Sequence, residues 1–460
     1  MVDRMQALLI STYEMGRQPF GLASPAAWLR TGGWDVVCVD VSKERLRDAD
    51  VKSADVIAFH LPMHTATRLA APVISKARAL NRSARICAYG LYAPLNGQWL
   101  RSIGVDAVFG GEFEEELTQW AGATTQGAVG RAFQGRQRGP ERPAPQIPRI
   151  RFLVPDRSTL PPLSKYATLQ LPDGTTRAVG YTEASRGCKH LCRHCPVVPI
   201  YNGQFRIVPP GVVLADVAAQ VAGGAGHITF GDPDFFNGPT HAMRIVEALH
   251  AAHPSVSYDV TIKVEHLLRH RALLPRLAET GCAFVTSAIE SLDDRVLTIF
   301  DKGHTRADFF DAVDVCAAAG VTLIPTFVAF HPWLTPESYC DLLDTIAGLD
   351  LVDHVAPIQL AIRLLLPEGS RLLTTPEMRP HVGAFDPKTL TYRWTHPDRA
   401  VDALHQEVST IVGMRLTADR RVVFEEVSRL AHDRAGMPSP SARPFRDRAT
   451  VPYLNEPWYC

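Results

Sequence analysis

The sequence predicts an α/β protein built from a doubly wound parallel sheet, a partial (β/α)6 barrel and a mostly helical C-terminal extension. Short apolar runs alternate with helical stretches over residues 1–122. The alternation lapses, resumes over residues 176–373, and gives way to helical periodicity after Thr374. The boundaries that follow are 1–122 for the sheet, 123–175 for a linker and extended bridge, 176–373 for the barrel and 374–460 for the extension and tail.

Each element follows from its local pattern. In the first part, residues 7–10, 36–39, 56–59, 86–88 and 107–109 read as strands, with helices such as 25–30 and 69–80 between them. Ligands of such a sheet sit at the carboxyl ends of its strands. Residues 122–150 are rich in Gly, Pro, Gln and Arg without apolar periodicity, which marks a linker, and residues 160–174 read as a bridge packed across the domain junction. In the barrel, strands are expected at 178–183, 227–230, 258–262, 283–289, 323–329 and 359–365, with helices such as 213–222, 267–280 and 306–319. Six such units make a partial barrel, two short of a closed eightfold one. Helices at 401–412 and 422–433 precede a Pro- and Arg-rich tail.

At 460 residues the chain is too long for one ordinary core. Its 46% hydrophobic and 21% charged residues describe an ordinary globular protein, and a formal net charge of zero gives no footprint for a nucleic-acid partner. The N-terminal apolar stretch is too short for a signal peptide and no segment reaches membrane length, so a cytoplasmic protein with no membrane partner is expected. Thiols stay reduced there and are free to bind metal.

Of nine cysteines, three crowd into one octapeptide as Cys188-x3-Cys192-x2-Cys195, directly after a predicted strand. A cubane iron–sulfur cluster normally takes four thiolates, so three from one tight loop leave one iron without a protein ligand. That open iron can chelate the amino and carboxylate groups of S-adenosylmethionine (SAM), and an electron from the cluster can then break the S–C5′ bond to release a 5′-deoxyadenosyl radical. The alternative is zinc, with His190 or His194 as fourth ligand. Against it, no second Cys or His pair follows at knuckle distance, and six β/α units suit a cofactor barrel better than a zinc ribbon.

With these residues the chain resembles the radical SAM superfamily, in the branch with an N-terminal cobalamin-binding-like domain of flavodoxin-like fold. The likeness covers residues 1–373. His227-Ile228-Thr229-Phe230-Gly231-Asp232-Pro233-Asp234-Phe235-Phe236-Asn237 resembles the family's second-strand motif, Ala288-Ile289-Glu290-Ser291 its "GIES" with Ala in place of Gly, and Lys302-Gly303-His304-Thr305 its "KGHT". The usual aromatic before the third cysteine is His194 here. The resemblance implies a [4Fe-4S] cluster on Cys188, Cys192 and Cys195, SAM contacts at Gly231, Asp232, Lys263, Glu290 and Ser291, and an electron donor such as flavodoxin or ferredoxin. Each of these has a plainer reading: Glu290 and Ser291 cap the next helix, Lys263 sits on a solvated barrel lip, and Asp232 and Asp234 close a turn.

Cobalamin is the further cofactor that the resemblance implies. Gly110-Gly111-Glu112 fits the pattern of the N-terminal domain, while the Asp-x-His-x-x-Gly loop that supplies a histidine to cobalt is absent, Ser11-Thr12-Tyr13-Glu14-Met15-Gly16 standing in its place. His60 and His64 lie after the third strand, where lone histidines are commonly turn or surface residues. The C-terminal segment ending in Trp458-Tyr459-Cys460 resembles the tail of a small radical SAM group that closes in CUAEP or CCAEP, U being selenocysteine. Cys460 is on that reading a catalytic residue, and on the plain one a frayed terminus. The function expected is transfer of a methyl group to a small-molecule substrate. The alternatives are aminocarboxypropyl transfer from SAM to a soft nucleophile such as arsenite, or a non-enzymatic iron–sulfur or zinc protein.

Overall fold

A computed structural model of the protein describes residues 4–123, 147, 149–415, 419–438 and 451–455. Most of the expected linker and Cys460 therefore lie outside the described residues.

The first sheet contains β1 (Gln6–Ser11), β2 (Asp35–Asp40), β3 (Val56–His60), β4 (Arg85–Tyr89) and β5 (Ala107–Phe109), all parallel in the order β2-β1-β3-β4-β5. Helices α1 (Phe20–Thr31), α2 (Asp48–Ser53), α3 (His64–Leu80), α4 (Gly97–Ser102) and α5 (Glu114–Gly122) connect them. Continuous apolar runs are what a strand covered on both faces requires. Leu8 and Ile10 of β1 join one core with Ile57, Phe59 and Ile86, while Ala7 and Leu9 join another with Val36, Ala58 and Tyr89.

Arg157 and Pro161 make contacts with both parts of the chain. Arg157 grips Asp216 at 2.9 and 3.0 Å and also donates to Gln18 Oε1 and the Tyr181 carbonyl, while Gln18 donates to the Pro161 carbonyl. A short strand, β6 (Thr168–Gln170), then turns antiparallel into β7 (Thr176–Thr182).

From β7 the barrel continues through β8 (Ser185–Gly187), α6 (Val198–Tyr201), β9 (Phe205–Ile207), α7 (Pro210–Ala222), β10 (His227–Phe230), α8 (Pro239–Ala252), β11 (Ser257–Thr261), α9 (Val264–Arg269), α10 (Leu274–Glu279), β12 (Cys282–Glu290), α11 (Asp294–Phe300), α12 (Arg306–Ala318), β13 (Leu323–Phe327) and α13 (Pro336–Gly348). Strands β7, β10, β11, β12 and β13 are parallel neighbours. Two expectations need correction. The helix expected at 267–280 breaks into α9 and α10, because Pro275 has no N–H to give and its ring crowds the preceding turn. The sixth strand expected at 359–365 is a 3-10 turn (Pro357–Leu360) followed by one bridge, Phe330 to Arg363. There the Gln359 side chain accepts from the Phe327 N–H at 3.0 Å, a bond that a sixth strand's backbone would otherwise supply.

The extension holds an unforeseen hairpin, β14 (Val382–Asp386) with β15 (Thr391–Trp394), before α14 (Arg399–Met414) and α15 (Arg420–Ala435). Both helices share the barrel's own core through Val401, Leu404, Val408, Val423, Phe424 and Val427. Finally β16 (Tyr453–Leu454) adds to the barrel sheet beside β6, antiparallel to it and hence parallel to β7. No described helix is long and apolar enough to cross a membrane.

Candidate active site

The three cysteines occupy the loop between β8 and α6, and its anchors come from several elements. Asn237 Oδ1, after β10, accepts from the Lys189 N–H at 3.1 Å and lies 3.9 Å from Cys188 Sγ. The Arg193 N–H and guanidinium donate to the carbonyls of Phe300 and Ile299 at the end of α11. His194 rests its ring on Phe300, 4.7 Å between centroids, and its Nε2 lies 3.0 Å from Glu290 Oε1. The departure from the usual aromatic thus keeps ring packing and adds a polar tie to β12. Burial pushes the Cys188 thiol up to about 11 and the Cys195 thiol up to about 12. Such thiols ionise when a metal takes the place of the proton.

The strand ends converge on this loop. Glu290 holds a positive φ of 72° at the end of β12, and its carboxylate also lies 3.3 Å from Lys302 Nζ. Burial would raise this carboxyl, but Lys302 and His194 together hold it down to about 2, so it stays ionised. The next helix is capped by Asp293, which accepts from the Arg295 N–H, and not by Glu290 or Ser291; Ser291 Oγ accepts only from the Asp293 N–H. Lys263 is buried rather than on a solvated lip, its Nζ donating to His190 Nδ1 at 3.0 Å. Asp234 meets His266 at 2.7 Å and His190 at 3.3 Å. Asp232 accepts from the Ala184 N–H and the Ser185 hydroxyl, tying β10 to the start of the cysteine loop; burial, partly offset by those bonds, raises its carboxyl to about 7. Gly231 lets the backbone pass Tyr181, since a Cβ there would fall 1.7 Å from the phenol oxygen.

Residues 182–347, which contain all three cysteines and most of these strand ends, match the radical SAM superfamily. The chain carries a radical SAM domain. Among curated relatives it is 23% identical over 160 residues to the hopanoid C-3 methylase of Methylococcus capsulatus, covering 35% of this chain and 30% of that protein. It is 26% identical to the ribosomal protein uS12 methylthiotransferase RimO of Desulfotalea psychrophila, over 38% of this chain and 41% of that protein. The chain therefore spans less than half the length of these relatives. Among solved structures it resembles the radical SAM methyltransferase TsrM of Kitasatospora setae (TM-score 0.62, 17% identity, 76% of this chain, 72% of that one). It also resembles the cobalamin-dependent SAM radical enzyme OxsB (TM-score 0.66, 13% identity, 94% of this chain, 71% of that one). At these identities the structural likeness concerns the fold.

A radical SAM domain implies a [4Fe-4S] cluster and SAM, and the donor set fits a cluster better than one ion. Of the histidines that zinc would recruit, His190 lies against Lys263 and Asp234 through its two ring nitrogens, and His194 is tied through Nε2 to Glu290. The ligand atoms that close to within 4.8 Å of one another belong to Cys188, His190 and Asp234, a set with the Lys263 ammonium already against it, and not to the three thiols. Thiolates spread around a cubane need no such closeness. The other described cysteines (Cys38, Cys87, Cys282, Cys316 and Cys340) are all buried within the cores of the sheet and barrel.

At the N-terminal sheet, the crevice between β1 and β3 is spanned by a buried pair, His60 Nδ1 to Glu14 Oε1 at 2.5 Å. The His60 ring is walled in by Gly21 and Gly90, where a Cβ would fall 2.0 and 3.1 Å from it. His64 Nε2 lies 2.5 Å from the Thr389 carbonyl. Both imidazoles are thus engaged by the protein itself. Gly110 and Gly111 serve the backbone: a Cβ at Gly110 would strike Pro94 at 2.2 Å, and Gly111 has φ +66°. Glu112 faces the domain junction and bonds Arg186 at 3.1 Å. Arg186, two residues before Cys188, also reaches Glu114 and Glu183, each at 2.7 Å. Sequence reasoning missed Arg186, Asn237 and Lys302 as structural partners of the site, although all three stand inside the cysteine segment or the motifs that follow it.

Proposed function

We propose that this chain is a cobalamin-dependent radical SAM enzyme that transfers a methyl group to a small molecule, with the cluster on Cys188, Cys192 and Cys195. The observation that carries the reading is the clamp of Asn237, Glu290 and His194, which joins the ends of two barrel strands to a loop offering three thiols. When bound, the cluster and SAM supply a carbon-centred radical, and cobalamin supplies a transferable methyl group. The chain's own part is positioning and exclusion of water. Gly231, Asp232, Lys263, Glu290 and Ser291 are the proposed contacts for SAM, on the strand ends where ligands of β/α barrels gather. Glu290, ionised in a buried setting, is suited to hydroxyl groups, and Lys263 to a carboxylate. The names of TsrM and the hopanoid methylase support methyl transfer, and the name of OxsB together with the order of the N-terminal strands supports a corrin there.

Cys460 enters as a proposal of the same kind. Because β16 runs parallel to β7, it points toward the strand ends that carry the cysteine loop. Residues 456–460 can span roughly 17 Å when extended. Anaerobic turnover followed by nucleoside analysis tests the function. 5′-Deoxyadenosine together with S-adenosylhomocysteine is expected, whereas methylthioadenosine would replace methyl transfer by aminocarboxypropyl transfer.

A further inference from the structure

Inside the barrel lies a cavity of about 220 Å³, bounded by mid-strand residues of β10 to β13 and by Arg420, Tyr453 and Leu454 from the C-terminal region. That volume equals roughly seven water molecules in the liquid. Its two ends differ. Gly231, Asp232, Thr286 and Thr326 mark the side toward the cysteine loop. Arg420 and Tyr453 mark the base, beside Phe284 and Ile324 near the starts of β12 and β13. Phe284 and Glu290 are six residues apart on β12, so the base lies about 20 Å below the site of the cysteine clamp.

The charges in the wall are unequal in their commitments; Arg17, from the N-terminal part, also lines it and lies over the Tyr181 ring at 5.3 Å. Asp259 is bound by His227 at 2.9 Å and Thr229 at 2.6 Å, and Asp232 by Ala184 and Ser185. His354 bonds the Leu323 carbonyl, and burial lowers its pKa, which leaves it neutral. Arg420 is different. It donates to one acceptor, the Asp353 carbonyl at 2.6 Å, and lies over the Tyr453 ring at 4.4 Å. The Asp353 carboxylate is taken instead by Arg421, at 2.8 and 2.7 Å. Among the described residues no carboxylate pairs with Arg420. A guanidinium keeps its charge even where burial lowers its pKa, so Arg420 lines the cavity as a cation that no carboxylate among the described residues pairs with directly.

We propose that the base of this cavity binds the carboxylate of a small organic acid through Arg420, with Tyr453 of the C-terminal strand as backing wall. The proposal rests on the barrel being the reaction chamber. It makes the substrate an organic acid whose anionic end sits at the base and whose other end points up the barrel toward the cysteine clamp. It also gives β16 a task, since the strand that seals the sheet brings Tyr453 against the guanidinium.

The test uses the full chain with its cluster, titrated without reductant by calorimetry and by unfolding midpoint. The probes are hexanoate, hexan-1-ol and butyl phosphate. Hexanoate is expected to bind and raise the midpoint, and hexanol is not. Arg420→Gln should weaken hexanoate by about tenfold or more, and Arg420→Lys should keep part of the affinity, because the charge survives without the planar fork. Cluster absorbance in both variants reports that they fold, and 5′-deoxyadenosine formation from SAM reports separately on the cofactor reading. No binding of hexanoate, equal binding of acid and alcohol, or unchanged affinity in Arg420→Gln overturns the proposal. Butyl phosphate binding about tenfold more tightly than hexanoate overturns the carboxylate in favour of a phosphate ester.

Discussion

At the carboxyl ends of the N-terminal strands, buried charges meet one another: Arg186 with Glu112, Glu114 and Glu183, and Glu14 with His60. Inside the barrel, built from the same β/α alternation, a cation faces a cavity instead. The first arrangement fastens two units together, and the second leaves chemistry for a ligand. The difference teaches that strand-end position alone does not make a binding site; what counts is whether the polar groups there are already spent on the protein.

The largest expected effect lies where both regions meet, at the cysteine loop. Cys188→Ala, Cys192→Ala or Cys195→Ala should abolish the visible absorbance and the expected stoichiometry of about four iron per chain. Retained absorbance in all three, or stoichiometric zinc, would remove the basis for the proposed function. Next comes Arg186→Ala, which strands three carboxylates at the junction and should cost about 3–5 kcal/mol in chemical unfolding. If Arg186→Ala unfolds like the parent, the network is not the fastening it resembles. Truncation after Asn455 bears on the barrel side, because β16 itself is retained. Cluster content should persist while product formation is lost, and full activity in the truncated chain would end the catalytic role proposed for Cys460.

A subtler effect comes from pH. Burial pushes the Glu112 carboxyl up to about 7 despite Arg186, from an ordinary value of 4.5. Between those values the native state keeps a proton that the unfolded chain gives up, so stability should fall as pH rises through that window. Glu112→Gln should flatten the slope of stability against pH there, and an unchanged slope would place the titration elsewhere. The smallest effect is expected for His64→Ala, which should leave the spectrum of bound cobalamin unaltered, because that imidazole already bonds Thr389. A spectral shift would identify it as a cobalt ligand.

Much of this was legible in the chain. All five N-terminal strands were expected within a residue or two, because parallel strands buried on both faces advertise themselves as apolar runs. The three thiols were legible as one group because they all come from a few consecutive residues. The sixth barrel strand misled, since residues 359–365 are apolar enough to be buried yet pair through a single bridge, with a glutamine side chain replacing backbone. The helix at 267–280 had its break written in Pro275, a local signal that apolar periodicity masked.

By itself, then, the sequence determined what local pattern can encode: alternating strands and helices, a loop of three thiols, and motifs at the strand ends. Only the tertiary structure decided which charges find partners. Arg186 meets Glu112 across 74 positions, and Arg421 meets Asp353 across 68. Such pairings leave no period or spacing in the chain, because they depend on how the folded elements pack in space and not on their neighbours in sequence.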